Sequence, residues 1–211
     1  YADGVSMTTT GAPGTYTDAL TVASVDNSGF TGYYLTFGDR VVSYSDTASQ
    51  SYANDPMTSI SGEFSYVFLD GYGTAEDFAA LGDALQGKIA ICSRGSIAFA
   101  EKANAAVEAG AVATIIYNNT TGIINMDLTG YRYNAPTVSI TQADAEAIRA
   151  QSAEVQDDAG HVLYRTGSVT VSEDIGSAQY GQAYDTMSSF SSWGCLLYTS
   201  PSPRDGATSR M

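Results

Sequence analysis

Apolar positions follow a strand-like pattern at both ends of the chain and a mixed strand-and-helix pattern in the middle. After a Gly/Thr/Ser-rich opening at 1–14, residues 19–25 (ALTVASV) form a short apolar run that predicts a buried strand. Aromatic and β-branched side chains dominate 33–44 (YYLTFGDRVVSY), broken at Gly38-Asp39, and return at 64–69 (FSYVFL) before Asp70-Gly71. These segments predict antiparallel strands.

The middle is more regular. Thr74-Ala75-Glu76-Asp77 is a helix opening, because a Thr hydroxyl accepts a backbone N–H and acids favour the positive helix end; a short helix to about Leu81 is predicted. Lys88 to Cys92 (KIAIC) is a compact strand, and Ser96 is placed to cap a helix reaching about Ala109. Phe99, Ala103, Ala106 and Gly110 fall at helical spacing and give a narrow face of mostly small residues. Residues 113–117 (ATIIY) then complete a β-α-β unit, and Asn118-Asn119 with Gly122 marks a turn. Residues 137–140 are a further strand. Thr141-Gln142-Ala143-Asp144 resembles a capping box and opens a helix to about Gln151. Residues 161–164 and 168–171 predict a hairpin turning at Thr166-Gly167, followed by a Gly/Ser/Gln/Tyr linker at 175–184. No fixed-period repeat supports a solenoid or propeller.

A length of 211 residues, 44% hydrophobic and only 15% charged, supports one or two folded domains. The excess of 23 acidic over 9 basic residues gives net charge −14 without a Lys/Arg cluster, which argues against nucleic acid and anionic membranes as partners. No apolar run approaches the roughly 20 residues that cross a bilayer, so membrane insertion is not expected. Cys92 and Cys195 are too few for a disulfide framework, and Cys92 lies in the predicted buried strand as a small hydrophobe. The chain opens at Tyr1 in a polar stretch, without the pattern of a signal peptide, and this start is expected to be an internal cut in a longer protein.

Candidate chemistry is sparse. A Ser-His-Asp site would have to use His161, flanked by Asp157 and Asp158, and no G-x-S-x-G elbow accompanies it; a surface histidine is the expectation. One histidine and two distant cysteines cannot make a zinc site. Asp70 and Glu173-Asp174 are carboxylates that calcium could use, but no spaced calcium loop surrounds them, and solvated acids are expected. Gly71-Tyr72-Gly73 has Glu76 where a dinucleotide loop needs a third glycine, and reads as a tight turn. The overlapping triplets Asn118-Asn119-Thr120 and Asn119-Thr120-Thr121 fit a glycosylation pattern, but such triplets arise often by chance and a polar turn is the expectation. No catalytic, metal-binding or cofactor-binding residue is nominated.

The segments Gly87 to Gly95 (GKIAICSRG), Phe99-Ala100-Glu101-Lys102-Ala103, Ala109-Gly110-Ala111 and Ile115-Ile116-Tyr117-Asn118-Asn119 together resemble the signature of the protease-associated (PA) domain. Ala135-Pro136-Thr137-Val138-Ser139-Ile140 and the helix after it resemble that family's closing strand and helix, with Ala135 at a usually bulkier position. The resemblance implies an α/β fold, a PA open β-barrel or sandwich with flanking helices, over roughly 31–170. It also implies a protein-interaction or lid role, with Arg94 and Lys102 making local polar contacts.

The flanks carry a second resemblance. Residues 13–27 (PGTYTDALTVASVDN) are similar to the strand after the oxyanion-asparagine region of subtilisin-like serine proteases, and 187–194 (MSSFSSWG) to their F-S-S-x-G segment. An insert between two such flanks resembles the lactocepin-like cell-envelope proteinases. This implies partial catalytic domain at 1–30 and 171–194, giving orphaned subtilase strands at both ends, and a secreted or cell-surface parent. The parent's partners would be protein or peptide substrates, with no cofactor and with the triad elsewhere. Residues 195–211 (CLLYTSPSPRDGATSRM) resemble a translated sequencing-adaptor artefact, and Ser209 is out of register for the nucleophile. The alternative is a stand-alone PA binding module, as in a sorting receptor or a metallo-aminopeptidase.

Overall fold

The computed structural model describes residues 29–179 except Ser51 and Ile123. The predicted flanking strands at 19–25 and 187–194, and Cys195 and Ser209, lie outside the described residues. One compact unit runs over Thr31–Ala178.

In chain order the strands are β1 (Gly29–Gly32), β2 (Tyr34–Phe37), β3 (Arg40–Ser43), β4 (Ser45–Asp46), β5 (Gly62–Phe68), β6 (Ile89–Ser93), β7 (Ala113–Tyr117), β8 (Thr137–Ile140), β9 (Ala153–Gln156), β10 (Val162–Val171) and β11 (Gly176–Gln179). The helices are α1 (Ala75–Ala79), α2 (Phe99–Glu108) and α3 (Gln142–Gln151). Nine strands form one sheet in the order β3-β2-β10-β5-β6-β7-β8-β4, with β9 added to β10; β1 and β11 pair as a separate two-stranded sheet. The end strands β3 and β4 are joined in the chain by Tyr44 alone, so the sheet curls into a nearly closed barrel. The predicted α/β, barrel-like architecture is therefore present.

Strands β5 to β8 are mutually parallel, while β10 runs antiparallel to both β2 and β5. Parallel strands buried on both faces need continuous apolar runs, which explains KIAIC and ATIIY. Alternate residues serve two cores. Phe68, Ile89, Ile91 and Ile115 join Leu35, Phe37, Val138 and Ile148 in the first. Val67, Ala90, Cys92 and Ile116 join Phe78, Leu85 and Ala106 in the second, where α1 and α2 pack.

Local chemistry fixes the helices. Thr74 and Asp77 form a complete capping box at α1, and Thr141 accepts the Asp144 N–H at α3. Asp144 in turn takes the Arg40 guanidinium at 2.8 Å, tying α3 to β3. Helix α1 ends at Ala79, ahead of the expected Leu81, and a 3-10 turn over Gly82–Leu85 follows.

Three expectations are corrected. Ser96 does not cap α2: Ala98 precedes the helix without a side-chain cap, and Ser96 sits at φ 45° in a tight turn closed by Ile97 N–H to Gly95 O, 2.6 Å. The buried face of α2 holds Ala100, Ala103 and Ala106 with Lys102 and Asn104, while Phe99 is only half-buried. Asn104 explains its own burial by donating to Gly130 O and accepting from Arg132 N–H, which pins the long 118–136 loop. Finally, no hairpin forms at Thr166-Gly167. Residues 162–171 are one strand, and the turn lies earlier, at 157–161, between β9 and β10. Gly167 is extended and faces the phenol of its cross-strand partner Tyr66, so its missing side chain makes room for a ring and does not make a bend.

Candidate functional site

Loops leaving the carboxyl ends of parallel strands are the usual place for ligands in α/β sheets. Here those loops are 69–74, 94–98 and 118–136, and the start of α3 follows β8. They are laced together: Leu69 N–H donates to Ile91 O, Ser93 N–H to Gly71 O, Arg94 N–H to Tyr117 O and Asn118 N–H to Ile140 O. Two depressions open on this rim and share Asp70.

The first is a recess of about 290 Å³ lined by the stacked rings of Phe68 and Tyr117 (centroids 5.3 Å apart), by Asn119, and by Gln142, Glu146 and Arg149 of α3. Asp70 holds Arg149 through two bonds, 2.7 Å and 3.2 Å, and also receives the Arg165 guanidinium, which reaches Glu154 at 2.8 Å. The Arg165 hydrogen bond holds the Glu154 carboxyl below its ordinary value. This four-member network joins the loop after β5 to α3, β9 and β10. The second depression, about 250 Å³, lies between the start of β10 and α1, and is lined by Leu69, Gly71, Asp77, Leu81, Val162 and Leu163 with Asp70 and others.

The Gly71-Tyr72-Gly73 turn lies against β6. Gly73 has φ 68°, and a Cβ there would stand 2.7 Å from Cys92 Sγ, so the position needs glycine for both conformation and space. Lys102 is fully buried under this turn and donates to Tyr72 O; burial lowers its ammonium pKa. Burial pushes the free Cys92 thiol up to about 12, with the Lys102 charge acting against this and Asp77 with it. Cys92 is thus a packed thiol and no nucleophile at neutral pH. The rim thus presents an aromatic floor, an amide and a charged edge.

The remaining sequence candidates lie elsewhere. His161 stands in solvent, its side chain 79% exposed, with Nδ1 3.1 Å from Asp157 Oδ2. Asp157 accepts the His161 backbone N–H, faces the His161 ring and accepts the Ala159 N–H, which together lower the Asp157 pKa and make the pair a turn device. Asp158 is exposed. Glu173 accepts the Ser61 hydroxyl and Asp174 N–H donates to Ser172 Oγ. Among the described residues no three His, Cys, Asp or Glu side chains are grouped as a metal ion would require. Asn118 is buried, its amide bonded to Gly122 O and its carbonyl to Arg94, whereas Asn119 is exposed on the recess rim. Arg94 and Lys102 make the local polar contacts expected of them. No motif announces the Asp70–Arg149–Arg165–Glu154 network, because its members are scattered over 95 positions.

Residues 52–148 match the PA domain. Over those residues the chain is similar to the PA domain, and the relatives it resembles are named as proteases and an aminopeptidase. It is 34% identical over 141 residues to the Minor extracellular protease Vpr of Bacillus subtilis, covering 66% of this chain and 16% of that protein. It is 38% identical over 108 residues to Aminopeptidase YwaD of Bacillus subtilis (50% of this chain, 23% of that protein). It is also 37% identical over 115 residues to the PII-type proteinase of Lacticaseibacillus paracasei (52% of this chain, 6% of that protein). The chain spans less than a quarter of the length of each of these relatives. Among the described residues no helix is long and apolar enough to cross a membrane.

Proposed function

We propose that this chain is the PA insert, with short catalytic-domain flanks, of a secreted subtilisin-like serine endopeptidase of the cell-envelope type. In this reading the insert controls which protein substrates reach the cleft. The observation that carries the reading is the pairing of β1 with β11: the compact unit begins and ends on neighbouring strands, as a domain inserted into another must. Two further facts support it. The similarity to the extracellular protease Vpr spans 141 residues, more than the 52–148 segment itself. Residues 13–27 and 187–194 also resemble subtilase segments.

The similarity to Aminopeptidase YwaD favours a second reading, a PA module appended to a metallo-aminopeptidase. Active-site labelling of the whole protein that carries this domain separates the two. The first reading expects labelling by a fluorophosphonate and indifference to metal chelators; inhibition by 1,10-phenanthroline without fluorophosphonate labelling would overturn it in favour of the second.

A further inference from the structure

Strand β10 has ten residues, but its register with β5 begins only at Arg165, opposite Phe68. Beyond Phe68 the β5 chain leaves β10 and stays with β6, through Leu69 N–H to Ile91 O and Gly71 O from Ser93 N–H. On its opposite edge β10 remains paired with β9 from Val162 to Thr166. The two strands therefore part like a fork. Residues 162–164 lack a strand partner on the β5 side among the described residues, and the second depression fills the fork.

The features of this cleft point to one kind of occupant. Val162 and Leu163 are 39% and 50% exposed on adjacent positions. The register between β9 and β10 shifts between Val162 and Tyr164, a bulge that re-aims the side chain of Leu163. An exposed apolar strand edge is a template for pairing with another chain. Of the two carboxylates lining the cleft, Asp70 is already held by Arg149 and Arg165, which leaves Asp77 as the charge facing an occupant, in a chain of net charge −14. We infer that the fork between β5 and β10 is a strand-addition site that takes an extended peptide segment carrying both apolar and basic side chains on one face, main chain against Val162–Tyr164, apolar groups against Leu69 and Leu81 and a basic group beside them at Asp77. Hydrogen bonds to the β10 edge would supply affinity and the cleft would supply side-chain selection. This inference rests on the reading of the domain as a protein-recognising module and names what that module recognises.

The test uses the whole chain and a capped octapeptide in which valine pairs alternate with lysine pairs, so that each face carries both, titrated calorimetrically beside the same peptide with glutamate for lysine. The lysine peptide is expected to bind about tenfold more tightly than the glutamate one. Leu163→Lys, an exposed position where folding is verified by melting, is expected to weaken it by about tenfold or more through like-charge repulsion. Val41→Lys, at an exposed position of β3, is expected to leave it unchanged. Equal affinity for the two peptides, or no effect of Leu163→Lys, overturns the site. Concentration-dependent dimerisation abolished by Leu163→Lys also overturns it, in favour of a second copy as occupant. Reduced and alkylated lysozyme separates the levels: if it binds wild type and Leu163→Lys equally, recognition stands and the fork falls, and if it binds neither, both fall.

Discussion

Replacing Gly167 by alanine tests why β10 is one unbroken strand. Gly167 has no positive φ, so the substitution adds no backbone strain; the new Cβ would stand 2.5 Å from the Tyr66 hydroxyl oxygen, 2.8 Å from Cζ and 3.0 Å from Cε1. The ring cannot simply swing away. Its hydroxyl is 2.7 Å from Ser152 Oγ and its edge packs on Phe37 with centroids 5.4 Å apart. Overpacking of this kind costs about 1–3 kcal/mol, and removing a strand glycine returns about 0.5–1 kcal/mol. Gly167→Ala is therefore expected to lose about 1–2 kcal/mol in the wild-type background. In a Tyr66→Leu background the phenol is gone, and the same change is expected to stabilise by about 0.5–1 kcal/mol. Urea unfolding followed by far-ultraviolet circular dichroism on the four variants gives the coupling energy. Alanine that is neutral in the wild-type background, or equally costly in both, would refute the idea that the ring dictates the glycine.

Two more outcomes follow from the charged and sulfur groups. Because Arg165 depresses the Glu154 pKa in the folded state, this contribution is present above the unfolded value and is lost as pH falls through the folded one. The wild-type urea midpoint should fall more steeply than that of Glu154→Gln between about pH 5 and pH 3, and parallel curves would count against the network. Cys92, with its buried thiol pushed up to about 12, should in a Cys195→Ser chain react with an aromatic disulfide reagent only as fast as the domain unfolds; rapid labelling in native buffer would contradict its placement.

The central fold was largely legible because its signals are local. KIAIC and ATIIY had to be two-sided buried strands, Thr74 and Thr141 announced their helices, and the alanines of 100–106 marked a helix lying close to a sheet. What escaped depends on partners distant in sequence. Gly167 looks like a turn residue until Tyr66 is seen across from it. Lys102 is expected to make a local polar contact, but its full burial is explained only by the Tyr72 carbonyl above it. The Asp70 network and the fork beside Val162 arise where β5 leaves β10, a divergence no periodicity encodes. The cap at Ser96 failed because Gly95 and Ser96 absorb a tight turn before the helix begins.

The proposed role of Thr31–Ala178 as an inserted module governing access of protein substrates can be tested directly. The most direct test compares kcat/KM of the whole protease with and without this unit, joined by a short linker, on an unfolded protein and on a short chromogenic peptide. The account predicts that the ratio of the two values shifts by about tenfold or more while hydrolysis of the short peptide survives. An unchanged ratio with both activities intact would contradict it.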